Sequence, residues 1–249
     1  ASISVNMGAT LRYYYNLVEP GTYFYHCHVE ATEHMEMGML GNLWVLPKQN
    51  ELPTGALPGH VKGVSKYVYN DGDASTRYDV EFPLQMGAFD GYFHDEHIAV
   101  QPLPFSSLDE SYPLLNGRGY PDTIKTTSVN NSLGLASQNV GSLVTARVGQ
   151  KVLLRLSNVS ISDFHTLTGL GIPMTIVGKD ARLLRGPTCI NLAYQSTSIT
   201  LGGGEAADAI LDTTNVAPGT YFVYDARLNH LSNDQEDFGG MMTEIVITP

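Results

Sequence analysis

The sequence predicts an all-β protein of tandem Greek-key β-sandwiches, the first of them incomplete at its N-terminus. Three observations predict it. Charged residues make up only 16% of the chain, while 25 Gly and 13 Pro punctuate it, the balance of a protein with many short strands and turns. Short alternating or apolar runs recur between those turns, as at 78–82, 151–156 and 174–177. The chain also repeats itself. Pro20-Gly-Thr-Tyr-Phe24 returns as Pro218-Gly-Thr-Tyr-Phe222, and Gly38-Met39 returns as Gly240-Met241, each time ahead of a closing apolar strand (43–46 and 243–247).

In chain order, the first element is a strand entered from the Pro20-Gly21 turn and running through Thr22-Tyr-Phe-Tyr25. Successive side chains on a strand point to opposite faces, so Cys27 should share a face with Tyr23 and Tyr25 while His26 and His28 share the other. The loop that follows carries His34 and Met39. Thiolate, imidazole and a weak thioether form the ligand set of a blue, electron-transferring copper centre, here Cys27, His34 and Met39. The two flanking imidazoles would then be free for other metal ions, joined to the Cys27 sulfur by a few covalent bonds. The bland alternative is a buried thiol among ordinary imidazoles; the close spacing of the whole set favours the metal. Met35 and Met37 read as gap-fillers, and Glu30, Glu33 and Glu36 as a solvated acidic face that could attract low-valent metal cations.

A Pro- and Gly-rich linker is expected at 51–65, between a first unit at 1–50 and a second at 66–249. Phe93-His-Asp-Glu-His97 reads as a surface loop rather than a metal site. Aligning the two repeats sets Tyr224 against His26, Asp225 against Cys27 and Ala226 against His28, so the second unit lacks the thiolate and reads as copper-free. His165 and His230 are expected to be structural polar residues. Cys27 being taken by metal, Cys189 is left as a free, buried thiol.

The run His26-Cys27-His28 with His34 and Gly38-Met39 resembles the last copper motif of the multicopper oxidases, the family of laccases and ceruloplasmin-like ferroxidases. The spacing from His28 to His34 is longer than the family pattern. The resemblance implies cupredoxin-type sandwiches, type 1 copper on Cys27, His34 and Met39, and trinuclear-cluster ligands in His26 and His28. It also implies a copper-dependent oxidoreductase that takes electrons one at a time from a reductant and passes them to dioxygen. The motif falls at the end of a domain, and 115–120 with 149–156 resembles the opening of a middle domain. No histidine precedes His26, so an N-terminal segment or another chain is expected to complete the copper sites.

Two other classes remain open: an electron-transfer or nitrite-reductase-like cupredoxin, against which His28 argues, and a non-catalytic structural subunit. A net charge of −11 without a basic cluster disfavours nucleic acid and anionic membranes. No apolar run is long enough to span a bilayer, and residues 1–5 are expected to open a strand rather than a signal peptide, as a trimmed chain also would. Periplasmic or extracellular location follows from the resemblance. Phenols, Fe(II), Cu(I) and Mn(II) all stay open as substrates.

Overall fold

Residues 21–26 and 40–45 pair as an antiparallel hairpin because a Pro-Gly turn feeds an aromatic, β-branched run into a second apolar run. In the computed structural model, which describes residues 3–99 and 103–249, these are β1 (Gly21–His26) and β2 (Leu40–Val45), with a short helix α1 (Ala31–Glu36) between them. Of the opening alternation, Ala1 and Ser2 lie outside the described residues, and Ile3 to Val5 adopt no regular structure. Then follow β3 (Lys66–Tyr67), β4 (Arg77–Tyr78), β5 (Val80–Phe89), α2 (Gly91–Ala99), β6 (Tyr112–Leu115), β7 (Val144–Arg147) and β8 (Lys151–Asn158). The chain continues with β9 (His165–Gly169), β10 (Met174–Lys179), β11 (Arg182–Leu183), β12 (Tyr194–Ser196) and β13 (Ser198–Leu201). It closes with β14 (Ala206–Asp212), β15 (Gly219–Asp225) and β16 (Met242–Thr248).

Among the described residues, a seven-stranded sheet runs β11-β10-β14-β8-β5-β6 with β12 beside β10, and a five-stranded sheet runs β13-β9-β15-β16-β7. Between them lies the main core, with Leu84, Val152, Leu154, Leu156, Ala209 and Leu211 from one sheet meeting Leu167, Leu201, Val223, Ile245 and Ile247 from the other. This is the two-layer sandwich that burial of one face of each sheet demands.

The larger sheet is also covered on its outer face. Leu153 and Ile210 bury against Val68, Tyr69 and Tyr78 of the preceding segment. Residues 51–65, expected as a linker, are a series of tight turns held by His60, which is buried between the Leu52 carbonyl (2.8 Å) and the Tyr67 hydroxyl (3.1 Å). Double coverage makes β8 buried nearly throughout. Arg155 is consequently 0% exposed.

The face of the β1–β2 hairpin that carries Thr22, Asn42 and Trp44 docks on that sheet. Thr22 Oγ1 donates to Asp208 (2.6 Å), Asn42 accepts from Gln85 (3.0 Å), and Trp44 lies over the Arg155 guanidinium at 5.8 Å. Arg155 donates to Glu81 (2.7 Å) and to Thr22 (3.2 Å), and Tyr69 donates to the second oxygen of Asp208 (2.6 Å). Burial pushes the Asp208 carboxyl up against the opposing pull of Arg155 and the two hydroxyls.

The sequence repeat is a structural repeat. β15 and β16 pair as β1 and β2 do, Gly219 opposite Ile247 as Gly21 is opposite Val45. Tyr23 donates to the carbonyl of Glu19 (3.0 Å) and Tyr221 to that of Ala217 (2.9 Å), each four residues back. Gly38 and Gly240 hold φ near +78° and +71°, a region that disfavours side chains, and a Cβ at Gly240 would strike the His230 carbonyl.

Candidate metal centre

Cys27 stands one residue beyond the end of β1, and β2 begins one residue after Met39, so the hairpin brings the two ends of the motif together. The Cys27 amide donates to the Met39 carbonyl (3.0 Å), and the Met39 amide donates to the His34 carbonyl (2.9 Å). These bonds close the intervening residues into a tight loop. Ala31-Thr-Glu-His-Met-Glu36, expected as loop, forms the helical turn α1, since all but Thr32 and His34 are strong helix formers. That turn carries His34 back over the thiol: Cys27 Sγ and His34 Nδ1 are 3.0 Å apart. The longer His28-to-His34 spacing is thus taken up as helix.

His26 shares a face with Phe24, its ring stacked at 6.3 Å, and the His26 and His28 rings lie 5.8 Å apart at 28°. His26 Nδ1 is 2.7 Å from the Cys27 carbonyl. Cys27 and His34 are half-buried, while His28 and Met39 are exposed. A thiol within hydrogen-bond distance of an imidazole Nδ1, with a Met at the loop's end and two further imidazoles side by side, is a donor set that fits copper.

Two expectations around this loop are corrected. Glu33 and Glu36 are not solvated; they are buried, because α1 turns them against the second unit. Residues 93–97 are not a surface loop but part of α2, whose first turn is capped by Asp90, its carboxylate accepting from the Phe93 amide at 3.0 Å. An Asp three residues ahead of Phe93 was a readable helix-start signal. Glu36 accepts from the Asp90 amide (3.2 Å), His97 Nδ1 lies 3.4 Å from Glu33, and the His97 ring is edge-on to His34 at 6.4 Å. Burial, reinforced by the Glu110 and Asp90 carboxylates and opposed by the Asp90 amide, pushes Glu36 up to about 8.

The second unit holds its own cluster. His165 Nδ1 and His230 Nδ1 each lie 2.7 Å from the same Asp225 oxygen, with all three side chains buried. Two residues expected to be separate structural polar groups therefore meet, at the position aligned with Cys27. The repeat alignment alone carried that signal. Cys189 is free but exposed rather than buried, because it sits at φ +62° in the 185–191 turn, where Gly186 donates to Ile190.

A β-sandwich bearing this hairpin-end donor set defines a protein of the cupredoxin class. The chain belongs to the multicopper oxidase family: "Multicopper oxidase" sequence profiles match residues 1–49 and, over more than half of the chain, residues 90–246. No curated protein matches it by sequence. Solved structures share its fold at low identity. One is a blue copper oxidase from Nitrosomonas europaea, with TM-score 0.63, 20% identity, and 92% of this chain and 56% of that chain covered. A laccase from Botrytis aclada gives TM-score 0.55 at 17% identity, covering 92% and 35%. A copper nitrite reductase from Nitrosomonas europaea gives 0.56 at 20%, covering 92% and 63%. The chain thus spans about half the length of the blue copper oxidase. The family implies copper and an oxidoreductase. Among the described residues, no helix is long and apolar enough to cross a membrane.

Proposed function

We propose that this chain is part of a multicopper oxidase that couples one-electron oxidation of a reductant to the reduction of dioxygen. Cys27, His34 and Met39 would hold a type 1 copper, and His26 and His28 would contribute to a trinuclear cluster. The observation that carries the proposal is the 3.0 Å approach of the Cys27 sulfur to His34 Nδ1 beside the paired His26 and His28 rings. Copper supplies the one-electron redox change and the chemistry with dioxygen.

The chain's own residues do the rest. The Met39 and His34 backbone bonds fix the loop and with it the ligand spacing. The peptide joins Cys27 directly to both flanking histidines, so the two donor sets are linked by covalent bonds. The hairpin's docking on β8 and β14 makes residues 1–50 and 66–249 one packed unit across 51–65, and the copper set is completed by imidazoles from another segment or chain. Phenols and low-valent metal ions such as Fe(II), Cu(I) or Mn(II) are the substrate classes, and the periplasm or cell exterior the location.

A nitrite-reductase-like role shares the fold, but His28 beside His26 favours the oxidase. Oxygen uptake tests the choice. Copper-loaded protein, assembled with the segment or chain that completes its imidazoles, should consume dioxygen when given a phenol or Fe(II), and consumption should stop in His28→Ala. Turnover of nitrite, or no oxygen uptake with any reductant, would overturn the proposal.

A further inference from the structure

We propose that His165, Asp225 and His230 form a second metal site, one that takes a single divalent ion such as Zn2+ or Cu2+ with a carboxylate where the first unit has a thiolate. The inference is independent of what Cys27 binds. Its basis is the scaffold. The Asp225 amide donates to the Met241 carbonyl (3.0 Å) as Cys27 does to Met39, and the Met241 amide donates to His230 (2.7 Å) as Met39 does to His34. The same loop closure that sets His34 on the Cys27 thiol sets His230 on the Asp225 carboxylate. β9, paired with β15, adds His165 from the other side.

Three ligand atoms converge there, all within 4.8 Å of one another and all buried. Their outer contacts are those of ligands. His165 Nε2 is 2.7 Å from Ser160 Oγ, and His230 Nε2 is 3.3 Å from Asp163 Oδ2. An imidazole whose far nitrogen donates to a hydroxyl or carboxylate has its near nitrogen oriented, lone pair inward, for a metal. His230 faces a carboxylate on each nitrogen, and a cation between Nδ1 and Asp225 leaves its hydrogen on Nε2 for Asp163. The other Asp225 oxygen accepts from the Thr166 amide (3.3 Å) and the Arg227 amide (3.0 Å), which fixes the carboxylate.

Two imidazoles and a carboxylate suit Zn2+ and Cu2+, and without a thiolate Cu2+ there would give no intense blue band. Bonds of about 2.0–2.2 Å need ligand atoms a little over ~3 Å apart, so the three side chains part by about half an ångström from their present contacts. A cavity of about 300 Å³ reaches His230, lined also by Asp109, Glu110, Asp163 and Asp234, and these carboxylates draw cations to it.

The test uses the intact chain with the first donor set disabled by Cys27→Ser and His34→Ala, stripped with chelator and titrated with Zn2+ alone and with Cu2+ alone. One equivalent should bind, the Cu2+ form should show an ordinary, non-blue paramagnetic spectrum, and thermal stability should rise with Zn2+. Asp163→Asn should weaken binding roughly 10- to 100-fold through the orientation of His230. A merely structural Asp163 would leave affinity unchanged. Asp225→Asn should abolish binding with the circular dichroism spectrum retained. If that variant does not fold, the anomalous signal at the zinc edge in crystals of the wild-type chain decides, by a peak among the three side chains or its absence. No bound equivalent, or equal binding in the Asp225→Asn variant, would overturn the site.

Discussion

Asp208→Ala should cut the hairpin that carries the candidate copper ligands loose from the sandwich. Asp208 accepts from the hydroxyls of Thr22 and Tyr69 at 2.6 Å each, and lies 3.6 Å from the Arg155 guanidinium, all in a region closed to water. Its removal leaves Arg155 with Glu81 as its one carboxylate partner among the described residues and strips two buried hydroxyls of their acceptor. Breaking a buried ion pair on one side costs about 3–5 kcal/mol, and each orphaned hydroxyl about 1–3 more where water cannot replace the lost bond. A loss of about 5 kcal/mol, the low end of that sum, is already a large share of the 5–15 kcal/mol typical of a domain. Trp44 is the sole tryptophan and sits over Arg155, so its fluorescence reports docking directly while circular dichroism follows the strands. Urea titration should show the tryptophan transition moving to lower denaturant, ahead of the strand transition. The double change Arg155→Met with Asp208→Leu should recover only the ion-pair share of the loss, since an apolar pair removes the uncompensated charge but leaves the Thr22 and Tyr69 hydroxyls without an acceptor. A change below about 1 kcal/mol in Asp208→Ala, with tryptophan emission unaltered, would refute the idea that this network fastens the hairpin.

Other consequences follow from the same neighbourhood. Glu36 is raised in the folded chain to about 8 from an ordinary value of 4.5, so the folded form holds its proton more tightly than the unfolded one. Its contribution is therefore fully present below about pH 4.5 and is lost as pH rises through about 8, up to roughly 4–5 kcal/mol in all. Glu36→Gln should flatten that part of the stability–pH curve measured by urea unfolding, and an unchanged curve would refute the shift. Cys189, exposed on its turn, should react with a maleimide in the native chain within minutes, and Cys189→Ser should remove that label; persistence of the label would place the reactive thiol elsewhere.

The repeat was the most legible feature of the fold. Two Pro-Gly-Thr-Tyr-Phe runs forecast two hairpins, and these match down to the tyrosine bonds at Glu19 and Ala217. The nearness of Cys27 and His34, 3.0 Å apart, was expected from residue type and spacing. What escaped was tertiary. Arg155 is buried by the hairpin and the 66–78 segment, which are laid over the sheet from elsewhere in the chain and leave no local sign in the sequence of β8. Glu33 and Glu36 read as a wet face for the same reason, since α2 closes over them. The stretch 93–97 reads as a surface loop because it is rich in polar residues, although Asp90 caps the helix it belongs to. His165 and His230 are 65 positions apart in sequence, and only strand pairing of β9 with β15 brings them to one carboxylate.

The most direct test of the account is the metal content and visible and paramagnetic spectrum of the copper-loaded protein, assembled with the segment or chain that completes its imidazoles, beside its Cys27→Ser variant. An intense blue absorption in the wild type that vanishes in Cys27→Ser is the predicted result. Colour that survives loss of Cys27, or a wild-type protein that binds copper without any blue band, would contradict the assignment of Cys27, His34 and Met39 as a type 1 copper site.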